Sequence, residues 1–279
     1  MGRMLRVGSL FSGIGGLELG LEMTGHFTTV WQVEIDKYAR KILAKHWPHV
    51  RRHDDVCTFP TDDNWECDVI CGGFPCQDIS YAGKGAGLDG ERSGLFYELA
   101  RVVREVGPRY VILENVSALL SRGMGDVLGT MASLGYDCHW HCIPAAYVRA
   151  PHIRDRVFIL CYANGDRESI STQHDKKTQG LQSNDSYTNN IQRKRSIQEQ
   201  ISHQRNLQEE LKRMGERLGR QWAVEPNVDR VANGVPSRVD RLRCLGNAVV
   251  PQVAYLVGQI LWEVHCGQYE SQQGCTWRT

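Results

Sequence analysis

Long apolar runs are scarce in this sequence. No stretch approaches the roughly 20 apolar residues that a membrane-spanning helix needs. The first residues enter a strand-like run directly, without the apolar core of a secretory signal. We therefore expect an intracellular protein with no membrane partner. Its ten cysteines are then expected to be reduced thiols and not disulfides.

Cysteine pairs with metal-binding spacing are also missing, because no C-x-x-C occurs. The run "CHWHC" at Cys138–Cys142 offers two thiols and two imidazoles, yet it has the character of a strand. Alternation along a strand would place the cysteines on one face and the histidines on the other, where one ion could not easily bind all of them. We expect no metal site.

A complete dinucleotide fingerprint is absent as well. The segment "SLFSGIGGLELGLE" supplies Gly13 and Gly15 of a G-x-G-x-x-G pattern, but Glu18 occupies the third glycine position. A bulky acid there, near where a pyrophosphate would lie, disfavours a nicotinamide oxidoreductase. Glu34 ends the following predicted strand and suits ribose hydroxyls. A nucleoside ligand without phosphates, such as S-adenosylmethionine, fits these features better.

Short apolar runs alternate with helical patterns through the first part of the chain. This alternation predicts an α/β fold with a mostly parallel, doubly wound sheet. The predicted strands are 4–11, 28–34, 67–73, 109–116, 138–142 and 156–163. The predicted helices are 16–25, 36–47, 93–107 and, near the end of the sequence, a helix in the segment 247–264 that is entered through Pro251.

The composition changes after Asn164. Residues 165–220 are rich in Gln, Asn, Ser and Thr, with Tyr187 as their one aromatic residue and 11 Lys/Arg against 8 Asp/Glu. Such a segment is either a solvated excursion or a contact surface for a charged partner, and the formal net charge of +1 for the whole chain does not decide between them. We divide the chain into 1–164, 165–224 and 225–279.

A thiol and a carboxylate follow two neighbouring predicted strands. Cys76 lies in "GGFPCQ" after the strand 67–73, and Glu114 ends the strand 109–116. Because the ends of consecutive parallel strands open on one side of a sheet, both groups are expected beside the glycine loop. An isolated cysteine is usually buried filler, but the position of Glu114 favours a catalytic role for Cys76.

Five motifs together resemble one family. "FSGIGG", "GGFPCQ", "ENV", "RDR" and "LGNAVVPQV" occur in the order, and roughly at the spacing, of the DNA (cytosine-5) methyltransferases. The resemblance covers Leu5 to Ile159 and about Glu225 to Leu261. It implies a Rossmann-like S-adenosylmethionine methyltransferase domain and a small target-recognition region in the polar middle of the chain.

The resemblance also implies roles for individual residues. Cys76 resembles the catalytic nucleophile, Glu114 the acid that hydrogen-bonds the ring nitrogen N3, and Arg154 and Arg156 the two arginines of a "QxRxR" motif in which His152 replaces the usual Gln. The implied S-adenosylmethionine contacts are Phe11, Ser12, Gly13, Ile14, Gly15, Gly16, Glu34, Ile35, Asp55, Val56, Asn247 and Ala248, with Gly246 beside them. Candidate DNA contacts are Gln77, Asn115, Arg230, Arg238, Arg241 and Arg243.

The implied reaction uses a cysteine because carbon 5 of cytosine is a poor nucleophile until a thiolate adds at carbon 6. The partners would be double-stranded DNA and, in a restriction–modification system, a separate endonuclease; a stand-alone or phage enzyme is the other setting. We expect a monomer in the cytoplasm of a prokaryotic cell or phage-infected host. A tRNA cytosine methyltransferase of the same fold and an inactive DNA-binding relative remain alternatives.

Overall fold

A computed structural model describes residues 3–75, 94–164 and 236–266, together with the isolated positions 209 and 213. Seven strands form one sheet in the order β3-β2-β1-β4-β5-β7-β6. The strands are β1 Leu5–Leu10, β2 Phe27–Val33, β3 Arg51–His53, β4 Val69–Gly73, β5 Tyr110–Val116, β6 Tyr136–Pro144 and β7 Asp155–Ala163. The helices are α1 Gly16–Met23, α2 Lys37–His46, α3 Gly94–Val106, α4 Leu119–Arg122, α5 Met124–Ser133, α6 Arg238–Asn247 and α7 Pro251–His265.

The sheet confirms the α/β prediction. Strands β3, β2, β1, β4 and β5 are parallel, whereas β7 runs antiparallel between β5 and β6. The strand order reverses between β1 and β4, and this switch point is where open α/β sheets bind ligands, beyond the carboxyl ends of the strands. The glycine loop after β1 and the loop after β4 therefore lie at one crevice.

Helices cover both faces of the sheet with apolar side chains. One face packs α3 and α5 through residues such as Phe96, Leu99 and Val127. On the other face α1 and α7 contact each other and the sheet through Leu21, Val257 and further apolar residues. Each fully buried Leu or Val side chain contributes about 1.5–3 kcal/mol, so these two layers hold the strand ends in fixed positions.

The stretch Arg238–His265 is, within the described ranges, the one segment that meets length and hydropathy criteria for membrane crossing. It consists of α6 and α7, separated by residues 248–250. Helix α7 begins at Pro251, as predicted, and its apolar character follows from packing, because Val253, Leu256, Val257 and most of its other apolar residues are buried against α1 and the sheet.

Candidate active site

The loop between β1 and α1 has a backbone shape that side chains disfavour. Phe11, Gly13 and Gly15 all have positive φ angles, of 55°, 56° and 87°. A non-glycine residue in this region costs roughly 1 kcal/mol or more, so Phe11 marks a strained turn directly after the strand. The turn directs backbone N–H groups of the loop towards the end of β2.

Glu34 accepts one backbone N–H from this loop and a second from the residues that follow β2. The N–H of Gly13 donates to Oε2 of Glu34 at 2.7 Å, and the N–H of Asp36 donates to Oε1 at 2.7 Å. Burial raises the pKa of Glu34, and these two hydrogen bonds oppose that rise. A carboxylate has about four acceptor positions, so Glu34 keeps acceptor capacity for two hydroxyl groups. Ile35 beside it leaves 70% of its surface exposed.

The predicted residues Asp55 and Val56 lie in a short turn that follows β3. Strand β3 ends next to the end of β2, where the N–H of Glu34 donates to the carbonyl of His53 at 3.1 Å. Asp55 caps the turn Val56–Thr58 by accepting the N–H of Cys57 at 3.0 Å. Val56 is buried, which anchors the turn beside Glu34 on the same edge of the sheet.

The returning chain near Asn247 contacts the glycine loop. A Cβ atom on Gly16 would lie 2.4 Å from the carbonyl oxygen of Val249, so only glycine permits this close approach. Asn247 ends α6 and Ala248 follows it. The structure thus brings the predicted residues 246–248 to the loop Phe11–Gly16, although they are far apart in sequence.

Glu114 and Arg156 face each other at the ends of β5 and β7. Nε of Arg156 lies 3.1 Å from Oε1 of Glu114, and the glutamate is 8% exposed. Burial raises the pKa of Glu114, and the positive charges of Arg156 and then Arg154 partly oppose it. A raised pKa makes this carboxyl group a better proton donor candidate than an exposed glutamate.

Arg154 makes a different contact. Its Nη1 donates to the carbonyl of Gly246 at 2.9 Å, and its φ angle of 33° is in the left-handed region. Together with Arg156, Ile143 and Val249 it lines a small cleft at the junction of β6, β7 and α7. Arg154 therefore joins the strand end that carries Arg156 to the segment at residues 246–248.

Asn115 is almost fully buried, at 3% exposure. Its Nδ2 donates to the carbonyl of Phe74 at 3.2 Å, and its Oδ1 accepts the N–H of Val116. This contact supports the backbone two residues before Cys76. Cys76 itself, Gln77 and Arg230 lie outside the described residues, so their predicted roles stay predictions.

The three predicted DNA contacts on α6 differ in their surroundings. Arg243 forms ion pairs with Asp36, next to the end of β2, and with Asp240. Arg241 donates from Nε to the carbonyl of Pro236 at 3.1 Å, and Arg238 begins the helix. No residue of α6 is buried. Polar contacts such as the ion pair of Arg243 with Asp36 therefore hold the helix near the end of β2.

Two groups near the site were not predicted. Glu18, noted in the sequence only as an obstacle to a pyrophosphate, is fully buried beneath the glycine loop, and its Oε1 lies 3.5 Å from Nε2 of Gln32. Arg101 on α3 donates to the carbonyl of Val56 at 2.9 Å. Their sequence signals were weak, because each lies in an ordinary helical pattern.

A comparison with known protein families identifies the family of this chain. Residues 5–235 match the family model described as C-5 cytosine-specific DNA methylase. The chain belongs to this family. Among curated relatives, the Type II methyltransferase M2.BsuMI of Bacillus subtilis is 34% identical over 190 residues, which is 65% of this chain and 48% of that protein. The Type II methyltransferase M.HhaI of Haemophilus parahaemolyticus is 34% identical over 164 residues, covering 57% and 50%.

This family member spans about half the length of the curated relatives it matches. Solved structures with lower identity share its fold over nearly the whole chain. The S. pombe Dnmt2 methyltransferase matches with a TM-score of 0.59 at 18% identity, covering 93% of this chain and 99% of that one. The Entamoeba histolytica methyltransferase EhMeth matches with a TM-score of 0.63 at 15% identity, covering 95% and 99%.

Proposed function

We propose that this C-5 cytosine methylase family member transfers a methyl group from S-adenosylmethionine to carbon 5 of a flipped-out cytosine in a short DNA sequence. The observation that carries the proposal is the buried pair of Glu114 on β5 and Arg156 on β7, 3.1 Å apart at the carboxyl edge of the parallel strands. A proton donor and a fixed positive charge at one edge suit a ring on which electron density grows during the reaction.

The cofactor-side residues fit S-adenosylmethionine in three ways. Glu34 has spare acceptor capacity for ribose hydroxyls after it has bound Gly13 and Asp36. The exposed apolar side chain of Ile35 offers a surface for a purine ring. A Cβ on Gly13 would meet nothing within 4 Å, so the loop borders open space. When bound, S-adenosylmethionine supplies an electrophilic methyl group.

In this proposal the side chains of the protein activate the cytosine ring. Cys76, as a thiolate, adds to carbon 6, while Glu114 protonates or hydrogen-bonds N3 and Arg156 contacts O2. Carbon 5, made electron-rich in this way, would accept the methyl group that S-adenosylmethionine supplies, and S-adenosylhomocysteine would be the leaving group. Loss of the carbon 5 proton to a base from solvent would expel the thiolate of Cys76, and return of the N3 proton to Glu114 would restore the neutral ring. The target base must leave the helix, which costs a few kcal/mol that pocket and phosphate contacts offset.

The remaining assignments are part of the same proposal. Residues 165–224 serve as the target-recognition region, 1–164 as the cofactor-binding and catalytic domain, and 225–279 as the segment that returns to it. We further propose a monomer that acts on double-stranded DNA in the cytoplasm of a prokaryotic cell or phage-infected host. A restriction endonuclease, where one exists, would act on the same sequence separately.

Base-resolution cytosine methylation sequencing of a plasmid from a methylation-free host tests the proposal. One culture expresses the chain, a second its Cys76→Ala variant and a third the Cys266→Ala variant, a matched control because Cys266 is an exposed thiol beyond α7. We expect methylation at one recurrent sequence with the unchanged chain and with Cys266→Ala, and none with Cys76→Ala. Methylation by Cys76→Ala would remove the thiol from the mechanism.

The same cultures supply RNA for an equivalent measurement. Cytosine-5 methylation confined to tRNA would overturn DNA as the substrate and favour the RNA alternative. No methylation of either nucleic acid, from a chain that still binds DNA, would favour an inactive DNA-binding relative.

A further inference from the structure

Arg101 lies on α3 and reaches the turn that carries Asp55 and Val56. Its Nη2 donates to the carbonyl of Val56 at 2.9 Å, and its Nη1 lies 3.5 Å from the carbonyl oxygen of Phe59. These two carbonyls bracket the turn Val56–Thr58. A single guanidinium on a helix thus contacts both ends of a turn that lies 42 to 45 residues away in sequence.

The turn is held at its other side by its own residues. The side chain of Asp55 accepts the N–H of Cys57, while Val56 and Phe59 are buried at 4% and 2% exposure. Backbone carbonyls in such a setting need partners, because an unpaired buried polar group costs about as much as a lost hydrogen bond. Arg101 adds a second donor to the carbonyl of Val56, which also accepts the N–H of Phe59 at 3.2 Å, and it donates to the carbonyl of Phe59.

Two glutamates aim the guanidinium. Nε of Arg101 donates to Glu98 at 2.8 Å, and Nη1 donates to Glu105 at 2.9 Å. Glu105 in turn accepts the hydroxyl of Thr61 at 2.6 Å. All three nitrogens of Arg101 are therefore engaged, and the planar fork matches the pattern of acceptors. A lysine carries the same charge but cannot reach four acceptors at once.

We infer that Arg101 is a positioning residue for the part of the cofactor pocket that Asp55 and Val56 form, because it fixes the turn that presents them. The inference rests on the proposed function, because it takes S-adenosylmethionine as the ligand of the crevice. Arg101 itself contacts protein groups only among the described residues. Its removal is expected to weaken cofactor binding without slowing the methyl transfer step.

A purely structural role predicts a different outcome. Ion pairs between residues three and four apart on an exposed helix contribute little, and their loss would change thermal stability slightly while leaving ligand affinity unchanged. Arg104 is the matched control, because it lies on the same helix, has a 63% exposed side chain and lies 3.6 Å from Glu105. Arg101→Lys keeps the positive charge but removes the planar guanidinium, so it tests the geometry apart from the charge.

The experiment uses the full chain and measures the dissociation constant of S-adenosylhomocysteine by calorimetry, together with kcat and the KM for S-adenosylmethionine on substrate DNA. For Arg101→Ala we expect the dissociation constant and KM to rise about 10- to 100-fold, with kcat at saturating cofactor within about threefold. The dissociation constant of Arg101→Lys should lie between those of the unchanged chain and Arg101→Ala. Arg104→Ala should match the unchanged chain.

Three results would overturn the inference. The first is an affinity of Arg101→Ala for S-adenosylhomocysteine within about twofold of that of the unchanged chain. The second is an equal loss of affinity in Arg104→Ala. The third is a fall in the kcat of Arg101→Ala with unchanged KM. If Arg101→Ala does not fold, full affinity in Arg101→Lys would overturn it equally. When the unchanged chain methylates DNA and Arg101→Ala binds normally, this inference alone fails; when the unchanged chain binds no S-adenosylhomocysteine, the proposed function fails with it.

Discussion

Glu114 and Arg156 face one another diagonally across antiparallel strands. Glu114 pairs in register with Phe158, and Arg156 pairs with Val116, so both side chains project from the same face of the sheet at its carboxyl edge. Diagonal neighbours of this kind lie within reach of long side chains. The antiparallel direction of β7 thus places a guanidinium over the end of a parallel strand, where β5 alone would leave a buried carboxyl group unpaired.

Replacement of Glu114 by Gln should remove the proton donor and keep the shape of the site. General acid catalysis contributes about 100- to 10,000-fold, so we expect methyl transfer to slow by at least about 100-fold. Binding of S-adenosylmethionine should stay within about threefold. Single-turnover kinetics and calorimetry measure the two quantities. The control is Glu66→Gln, an exposed carboxylate far from β5 in sequence; equal rates in the two variants would show that Glu114 has no catalytic role.

Replacement of Arg156 by Gln should change the pH profile as well as the rate. The pKa of Glu114 is raised by burial and held back by Arg156, so loss of the arginine should raise this pKa further. If protonated Glu114 is the active form, activity declines as pH rises through its pKa. The alkaline limb should therefore move to higher pH in Arg156→Gln. The measurement is the methylation rate as a function of pH. If the alkaline limb lies at the same pH in Arg156→Gln and the unchanged chain, Glu114 is not the group that titrates in it.

The sequence predicted the elements that have clear periodicity or a glycine loop. Strands β1, β2, β4, β5 and β7 and helix α7 lie where alternation and helical spacing placed them. Strand β3 was not predicted, because three residues, "RRH", carry no pattern. Helix α6 was missed since it is rich in arginine and buries none of its residues.

The candidate site was predicted in the same uneven way. Motif residues at strand ends, such as Glu34 and Glu114, could be placed because parallel strands end at one edge. The supporting contacts could not, since they join distant positions without a local signal. Arg101 and the carbonyl of Val56 are one case, and Arg154 and the carbonyl of Gly246 are another.

Gly20 is required where α1 packs against α7. A Cβ atom there would lie 2.2 Å from the carbonyl oxygen of Pro251 and 2.4 Å from Cβ of Ala254. We expect Gly20→Ala to destabilise the protein by about 1–3 kcal/mol, because the two helices must separate. Gly129→Ala is the matched control, since Gly129 also lies inside a helix but a Cβ there meets nothing within 4 Å.

Gly129→Ala should stabilise the protein by about 0.4–1 kcal/mol, because alanine favours the helix and restricts the unfolded chain. Urea unfolding of both variants measures the free energies. Stabilisation of both variants would mean that helix propensity, and not the contact between α1 and α7, decides the effect at Gly20.

Arg243 and Arg241 should respond differently to substitution. Arg243 is paired with Asp36 beside the cofactor residues, so Arg243→Ala is expected to weaken binding of S-adenosylmethionine several-fold. Arg241 has no ion pair with Asp36 among the interactions described, and Arg241→Ala should instead reduce the slope of log DNA affinity against log salt by about 1. Fluorescence anisotropy at several salt concentrations, and calorimetry, test both. Identical effects of the two variants would contradict this division of roles.

Glu18 should make stability depend on pH. Burial raises its pKa from 4.5 to about 7, and the groups that hydrogen-bond it in the described structure, Ser9, Ser12 and Gln32, are neutral. The folded protein therefore keeps a proton that the unfolded chain releases above about pH 4.5. The contribution of Glu18 to the free energy of unfolding is then greatest below that pH. It falls as pH rises towards about 7, by roughly 3 kcal/mol in total.

Glu18→Gln keeps the neutral hydrogen-bonding shape and cannot titrate. We expect its stability to stay flat across this pH window relative to the unchanged chain, so that the variant becomes the more stable of the two near neutral pH. Urea midpoints at several pH values measure the difference, with Glu66→Gln as the exposed control. If Glu18→Gln shows the same decline as the unchanged chain, the dependence belongs to other groups, and the carboxyl group beneath the glycine loop does not retain its proton on folding.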